Sequence, residues 1–289
     1  MTPPMTSLTR RRFGLLAGGT AAAGLMGTRP AFAETTLEKI RRAGTVTVGT
    51  EAAYPPFEFV KDGKIVGYGS EILAEVVKGL GVRLNQLDLP WQGILPGVLA
   101  GKFDFVATTV GINEERAKRY AFTMPIANGA PYAMQRKGAG MTTMEDLNGK
   151  VVATQLASST EPVARAMDAK LKAAGGKGFK DLRLFTAFTE SYVALASGEV
   201  DAVIQSLPAL AVLVKDKPQT FALLGPVTAG SPYPFLAWVT RPTDLDLRDV
   251  INGVIRSMRD DGRLGALQEK WFGFKMEIPD SGYLPPGAV

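Results

Sequence analysis

From Thr45 onward the chain alternates short apolar runs with segments whose apolar residues recur every three or four positions, and this alternation restricts it to an α/β fold. "TVTVGT" (45–50) reads as a strand. The spacing of Ile72, Leu73, Val76, Val77 and Leu80 predicts a helix over 70–81, with Ser70 as its N-cap and Gly81 as its stop. "VRLNQLDL" (82–89) is the next strand. "WQGILPGVLAG" (91–101) follows as a helix in which Pro96 falls in the first turn or bends the axis. "KFDFVATT" (102–109) is a strand, and Asn113 caps the helix that opens "EERAKRYAF". After residue 137 a second series repeats the scheme. It runs through a short helix and turn at "MEDLNGK", a strand at "VVATQ" (151–155) and a helix over 159–176 with Pro162 in its first turn. The strand "DLRLF", a helix ended by Gly198, the strand "DAVIQ" and the helical "LPALAVLVKD" complete it. The stretch 246–273 reads as an amphipathic helix, a turn at Gly262 and a second helix ending at Trp271 and Phe272. The final "IPDSGYLPPGAV" is a surface strap or a frayed end.

The two series echo each other. "LAGKFDFVATT" (99–109) and "ASGEVDAVIQS" (196–206) match at Gly101/Gly198 and Asp104/Asp201, both pairs 97 residues apart. Each reads as helix, glycine stop, strand. Ligands of open α/β sheets bind beyond the carboxyl ends of strands, so Thr108, Thr109, Gln205 and Ser206 are expected at such ends, one pair per lobe.

Residues 1–33 stand apart from this pattern. A basic start at Arg10, Arg11 and Arg12, an apolar middle and "RPAFA" read as an export signal cleaved after Ala33, and the Arg10–Arg11 pair resembles the twin-arginine type. The apolar stretch Phe13 to Met26 is 14 residues, short of the roughly 20 that span a bilayer. From Glu34 on, 29 basic residues face 28 acidic ones, a net +1, so four of the whole chain's five net positive charges come from the leader. No basic patch with interleaved aromatics argues for nucleic acid. The chain has no Cys and no His, which removes thiol nucleophiles, the usual zinc and iron–sulfur ligands and the Ser/His/Asp triad. No cofactor or metal is expected.

The residues left to carry chemistry cluster at the predicted strand ends. Arg116, in "GINEERAKR", can hold a carboxylate by two parallel hydrogen bonds. Its competing reading is a helix-surface arginine paired with Glu115. "QLASSTEP" joins a strand to a helix start, so its backbone N–H groups and the hydroxyls of Ser158, Ser159 and Thr160 form an anion seat or, more simply, Ser159 or Thr160 caps the helix; Gln155, at the strand end, is counted among the ligand-binding residues. Glu51 ends the first strand, Tyr54 offers a ring, and Pro55 and Pro56 fix the turn behind them. Trp91 is placed to form the other wall of an aromatic sandwich, while Phe57 and Phe59 are core.

The ordered blocks "VTVGTEAAYPPFEF", "KIVGYGSEIL", "WQGILPGVLAGKFDFVATT", "INEERAKRYAFT", "DLNGKVVAT", "GEVDAVIQ" and "GRLGALQEKWFG" resemble the amino-acid type of periplasmic solute-binding protein that serves ABC importers. The likeness runs from Thr45 to Gly273. It implies a two-lobed periplasmic-binding-protein fold of type II, each lobe an open mixed sheet flanked by helices, joined by two hinge strands. Residues 34–129 would form the first lobe, 130–229 the second, and 230–289 the return with its C-terminal helices. It further implies a monomer that closes on a small ligand and delivers it to a membrane permease. Position by position, Arg116 matches the arginine that clamps an α-carboxylate, helped by Thr109 and Ser159; Tyr54 and Trp91 match the aromatic pair; Glu51 matches an acid facing the distal side chain. Ser206 replaces the usual aspartate for the α-ammonium, Gly111 replaces a Ser or Thr, and Gly69 replaces the acid of a "GFD" turn, a change expected to be structural. The expected ligand is therefore a small, polar, carboxylate-bearing molecule resembling an amino acid, with its amine displaced or absent unless Glu51 compensates. Two other classes stay open on this scaffold. One is a periplasmic cyclohexadienyl dehydratase with Glu51 or Glu161 as general acid; the other is a sensing module that docks on a receptor.

Overall fold

The computed structural model describes residues 34–230 and 232–289, so the expected export signal lies outside the described residues. Helix α1 (Thr36–Ala43) is closed at its start by a reciprocal Thr35/Glu38 capping box. Strand β1 (Thr45–Thr50) follows, then a small antiparallel meander of β2 (Ala53–Tyr54), β3 (Glu58–Lys61) and β4 (Lys64–Val66). Next come α2 (Tyr68–Leu80), β5 (Arg83–Asp88), α3 (Trp91–Leu99), β6 (Phe105–Gly111) and the single turn α4 (Glu114–Ala117). Two-residue strands β7 (Ala121–Phe122) and β8 (Ala127–Asn128) lead to β9 (Pro131–Arg136). After a 3-10 turn (Met144–Leu147) come β10 (Val151–Gln155), α5 (Thr160–Ala173), β11 (Asp181–Phe185), α6 (Phe188–Ser197), β12 (Ala202–Ser206), α7 (Leu207–Asp216) and β13 (Phe221–Pro226). The chain returns through β14 (Phe235–Thr240) and ends with α8 (Leu245–Asp260), α9 (Arg263–Phe272) and a strap.

These strands make two lobes, each with its own sheet. The first has the order β5-β1-β6-β14-β7, with β8 also on β14; the second has the order β11-β10-β12-β9-β13. In each sheet three parallel strands meet one antiparallel strand, supplied by a crossing of the chain: β14 beside β6 and β9 beside β12. The two crossings lie against each other, since Asn128 pairs with Phe235 and the Gly129 N–H donates to the Pro234 carbonyl.

The internal echo has a physical basis. Gly101 (φ 68°) and Gly198 (φ 86°) both take the left-handed conformation that ends a helix. Asp104 Oδ2 then accepts from the Thr47 N–H at 2.8 Å, and Asp201 Oδ2 from the Val151 N–H at 2.9 Å. In each lobe one aspartate ties the entering strand to the first residues of its parallel neighbour.

Helix starts depart from the expectation at one place. Helix α2 begins at Tyr68 with Gly67 (φ 129°) as its N-cap, not at Ser70. Its first N–H groups are satisfied by the meander, Tyr68 donating to the Pro56 carbonyl and Gly69 to the Phe57 carbonyl, so no side-chain cap is needed. Pro96 lies at the sixth position of α3 rather than in the first turn, which leaves the Gln92 carbonyl without its usual helical donor. The amphipathic reading of the tail holds: Leu247, Ile251, Ile255 and Met258 form the buried stripe of α8. The strap is docked, because Tyr283, Leu284 and Ala288 pack on the core around Ile94 and Phe122, and the Val289 N–H donates to the Ala117 carbonyl.

Candidate functional site

The carboxyl ends of β1, β6, β10 and β12 face one another across the cleft between the lobes. Glu51 directly follows β1, Thr109 and Gly111 close β6, and Gln155 and Ser206 are the last residues of β10 and β12. Trp91 is the first residue of α3, Tyr54 ends β2, Arg116 lies in α4, and Ser158 and Ser159 precede α5. All ten sequence-predicted residues line a single space, which encloses about 20 Å³, room for about one water. An amino-acid-sized solute does not fit in that volume. Thr160, Phe188, Gln205 and Leu236 complete the lining.

Arg116 is 9 % exposed and forms no ion pair among the described residues. Its helix neighbour Glu115 pairs with Arg119 instead. The guanidinium donates to the Gly111 carbonyl at 3.0 Å and, across the cleft, to the Ala157 carbonyl at 2.8 Å. Its carbon lies 5.4 Å from the centre of the Trp91 ring. Burial without a carboxylate partner pushes its pKa down to about 10. A buried cation whose hydrogen-bond partners among the described residues are neutral carbonyls favours an anion beside it.

The hydroxyls of the "QLASSTEP" turn divide their work. Ser158 Oγ donates to the Gln155 carbonyl at 2.7 Å, and Thr160 Oγ1 is shared with Thr154 and Ser158. Ser159 caps nothing with its side chain. Thr109 Oγ1 is buried without a hydrogen-bond partner among the described residues and belongs to the lining of the site. Thr108, expected beside it, points the other way and donates to Glu58 Oε2 at 2.9 Å.

At the opposite end Glu51 accepts from Gln155 Nε2. Burial raises its pKa to about 7, against the Gln155 hydrogen bond and with the charge of Asp88 adding to the rise. The Tyr54 hydroxyl lies 2.8 Å from Ser206 Oγ and donates to Gln205 Oε1 at 3.2 Å. Its ring stacks on Phe188, at 5.6 Å between centroids, and leans on Phe57 at 5.0 Å. The ring that faces Tyr54 is thus Phe188 of the second lobe, while Trp91 faces Arg116. Phe57 is core as expected; Phe59 is half-buried against Trp271. Glu161, the other acid considered for proton transfer, accepts from the Ala157 N–H at 2.7 Å and pairs with Arg165. It is not part of the lining. Among the described residues no cluster of three metal-ligating side chains occurs, and no helix is long and apolar enough to cross a membrane.

Residues 46–274 match the model of the bacterial extracellular solute-binding proteins, family 3. The chain belongs to that family. It is 32 % identical over 240 residues to the L-cystine-binding protein TcyJ of Escherichia coli K12, covering 82 % of this chain and 86 % of that protein. An ancestral arginine-binding protein bound to arginine is 32 % identical, with a TM-score of 0.69 and coverage of 80 % of this chain and 99 % of that one. An ancestral amino acid-binding protein, described as a precursor of cyclohexadienyl dehydratase, is 30 % identical with a TM-score of 0.70, covering 82 % and 99 %. The two-lobed fold expected from the sequence is the fold of these relatives.

Proposed function

We propose that this chain is the solute-binding component of an ABC importer and captures a small, polar, carboxylate-bearing molecule resembling an amino acid by closing its lobes. The observation that carries the reading is Arg116, a buried guanidinium at the lobe boundary that forms no ion pair among the described residues. A carboxylate there would form charge-assisted hydrogen bonds, joined by the unpartnered Thr109 hydroxyl and by Ser158, Ser159 and the backbone of Gly111. Glu51, Tyr54, Trp91, Gln155 and Ser206 would shape the rest of the ligand. The cystine- and arginine-binding relatives support an amino-acid-like solute. The same reading takes residues 1–33 as a twin-arginine export signal and residues 34–289 as a periplasmic monomer that docks on an inner-membrane permease. It divides the lobes at residues 129/130 and 229/230.

The test is thermal unfolding against a panel that includes L-arginine, L-cystine, L-glutamine and L-histidine, beside carboxylates whose amine is displaced or absent. A solute that binds the folded state raises the midpoint by mass action. Arg116→Ala should lose every shift seen with the parent chain, because a carboxylate would be enclosed unpaired. Shifts that persist undiminished in that variant would remove the site assignment.

Two observations favour a second reading. Glu51, with its pKa raised to about 7, could act as a proton donor near neutrality, and one relative is described as a dehydratase precursor. Turnover of prephenate or arogenate by the purified chain would establish that reading, and a flat assay would end it.

A further inference from the structure

Gly111 ends β6, pairs with Leu236 across the sheet and is not in the left-handed region. Its backbone would accept any residue, so its lack of a side chain has another cause. A Cβ at this position would lie 2.2 Å from Ser159 Oγ and 2.4 Å from Ser159 Cβ. The hydroxyl could rotate away. The Ser159 Cβ cannot, because it is fixed to the backbone of the residue that caps α5 in the second lobe. Two other glycines of the described residues come near the opposite lobe's side of the cleft, Gly230 at 3.0 Å from Val163 and Gly273 at 3.3 Å from Lys215, and neither is as tight.

We propose that position 111 is the closure stop of this protein. The start of α5 seats on bare backbone there, and the size of residue 111 sets how far the lobes close. To restore an ordinary 3.4 Å contact with Ser159 Cβ, an alanine would hold the second lobe back by about 1 Å at this point. The stop lies beside the guanidinium, since Arg116 Nη1 donates to the Gly111 carbonyl itself. Residue 111 thereby fixes the depth of the cleft where Arg116 is buried, and so the smallest solute that closure can grip. The contact concerns the lobes alone, so it stands or falls independently of which solute is bound.

The chain lacks cysteine, so two introduced cysteines can be spin-labelled without background. Lys118, at the end of α4, and Ala169, on α5, are exposed and lie outside the site. Pulsed electron spin resonance between them would be recorded on the full chain without added solute. The shortest distances should lengthen by about 1 Å in Gly111→Ala and further in Gly111→Val, and Ser159→Gly added to the alanine variant should restore the parent distribution. An unchanged distribution in Gly111→Val would overturn the proposal. So would a lengthening that Ser159→Gly leaves in place. Loss of cooperative thermal unfolding in Gly111→Ala would also overturn it, by showing that the glycine serves its own lobe.

Discussion

The charged side chains lining the cleft are Arg116 and Glu51, and Ser206 supplies only a hydroxyl. If the solute carries an α-ammonium near Ser206, that charge meets a neutral partner. Replacing Ser206 by aspartate restores a charge-assisted hydrogen bond of roughly 1.5 to 3 kcal/mol. Ser206→Asp should therefore tighten binding of ordinary L-amino acids by about tenfold or more. Calorimetry that finds no gain for any of them would separate "VIQSLP" from the ammonium position. Glu51 makes a second prediction. Its folded, solute-free pKa of about 7 means that the carboxyl is largely protonated below that pH. A solute amine placed against it favours the ionised form, so binding must release a proton below pH 7. Affinity for such a solute should then fall by up to tenfold for each pH unit below 7, and the heat of binding should vary with the buffer's ionisation enthalpy. A solute without an amine should show neither effect. A pH-independent affinity for an amine-bearing solute between pH 5 and 7 would place its amine away from Glu51.

Glu58 shows how three elements can enclose a carboxyl group between them. It is fully buried on β3, one oxygen accepting from Thr108 of β6 and the other unpartnered against the first turn of α2. A Cβ at Gly69 would lie 1.8 Å from that free oxygen, so the acid absent from "GYGSE" has no room in this packing. Burial raises the Glu58 pKa to about 8, with the Thr108 hydrogen bond opposing the rise and the charge of Glu51 adding to it. Between the unfolded value of 4.5 and about 8 the folded chain holds a proton that the unfolded chain has lost. Stability is thus fullest below pH 4.5 on this account and declines as pH rises toward 8, by up to about tenfold in the folding constant per unit. Glu58→Gln should flatten that decline in urea titrations at pH 5 and pH 8; an unchanged pH dependence would mean that the carboxyl is not protonated in the fold. None of this was legible in "PPFEF". The strands that carry the parallel order were legible, because β1, β6, β10 and β12 are short apolar runs that follow a glycine stop or a turn. The antiparallel strands β9, β13 and β14 escaped, since their pairing depends on the chain crossing between lobes rather than on local period. The site divides the same way. Thr109, Gln205 and Ser206 could be placed from strand-end position and Gly111 only from the family resemblance, while Thr108, placed the same way, turns to Glu58; Phe188 and Leu236 reach the cleft from elements whose direction only the tertiary packing sets.

Across the whole molecule, polar pairs bridge the two lobes: Tyr54 with Ser206 and Gln205, Glu51 with Gln155, Arg116 with the Ala157 carbonyl, and Gln92 with the Thr186 carbonyl at 3.1 Å. Each of these groups would meet water if the lobes parted, so each pair contributes only a net amount, about 0.5 to 1.5 kcal/mol. Together they oppose opening, and the 20 Å³ between them admits a solute only after opening. The rate of solute capture should therefore scale with the fraction of time the lobes stand apart, as expected where only one conformation is competent to bind. Tyr54→Phe keeps the ring that stacks on Phe188 and removes only the bridging hydroxyl. In the closed form it also leaves Ser206 and Gln205 short of a partner that water would supply in the open form. The variant should open more often, by roughly two- to tenfold. Stopped-flow capture of whichever panel solute binds the parent chain should accelerate by the same factor, and small-angle scattering of the solute-free variant should give a larger radius of gyration that returns to the parent value at saturation. An unaltered capture rate together with an unaltered radius would show that the Tyr54 bridge does not hold the lobes together, and the barrier to entry would then rest on the remaining bridges at Glu51, Arg116 and Gln92.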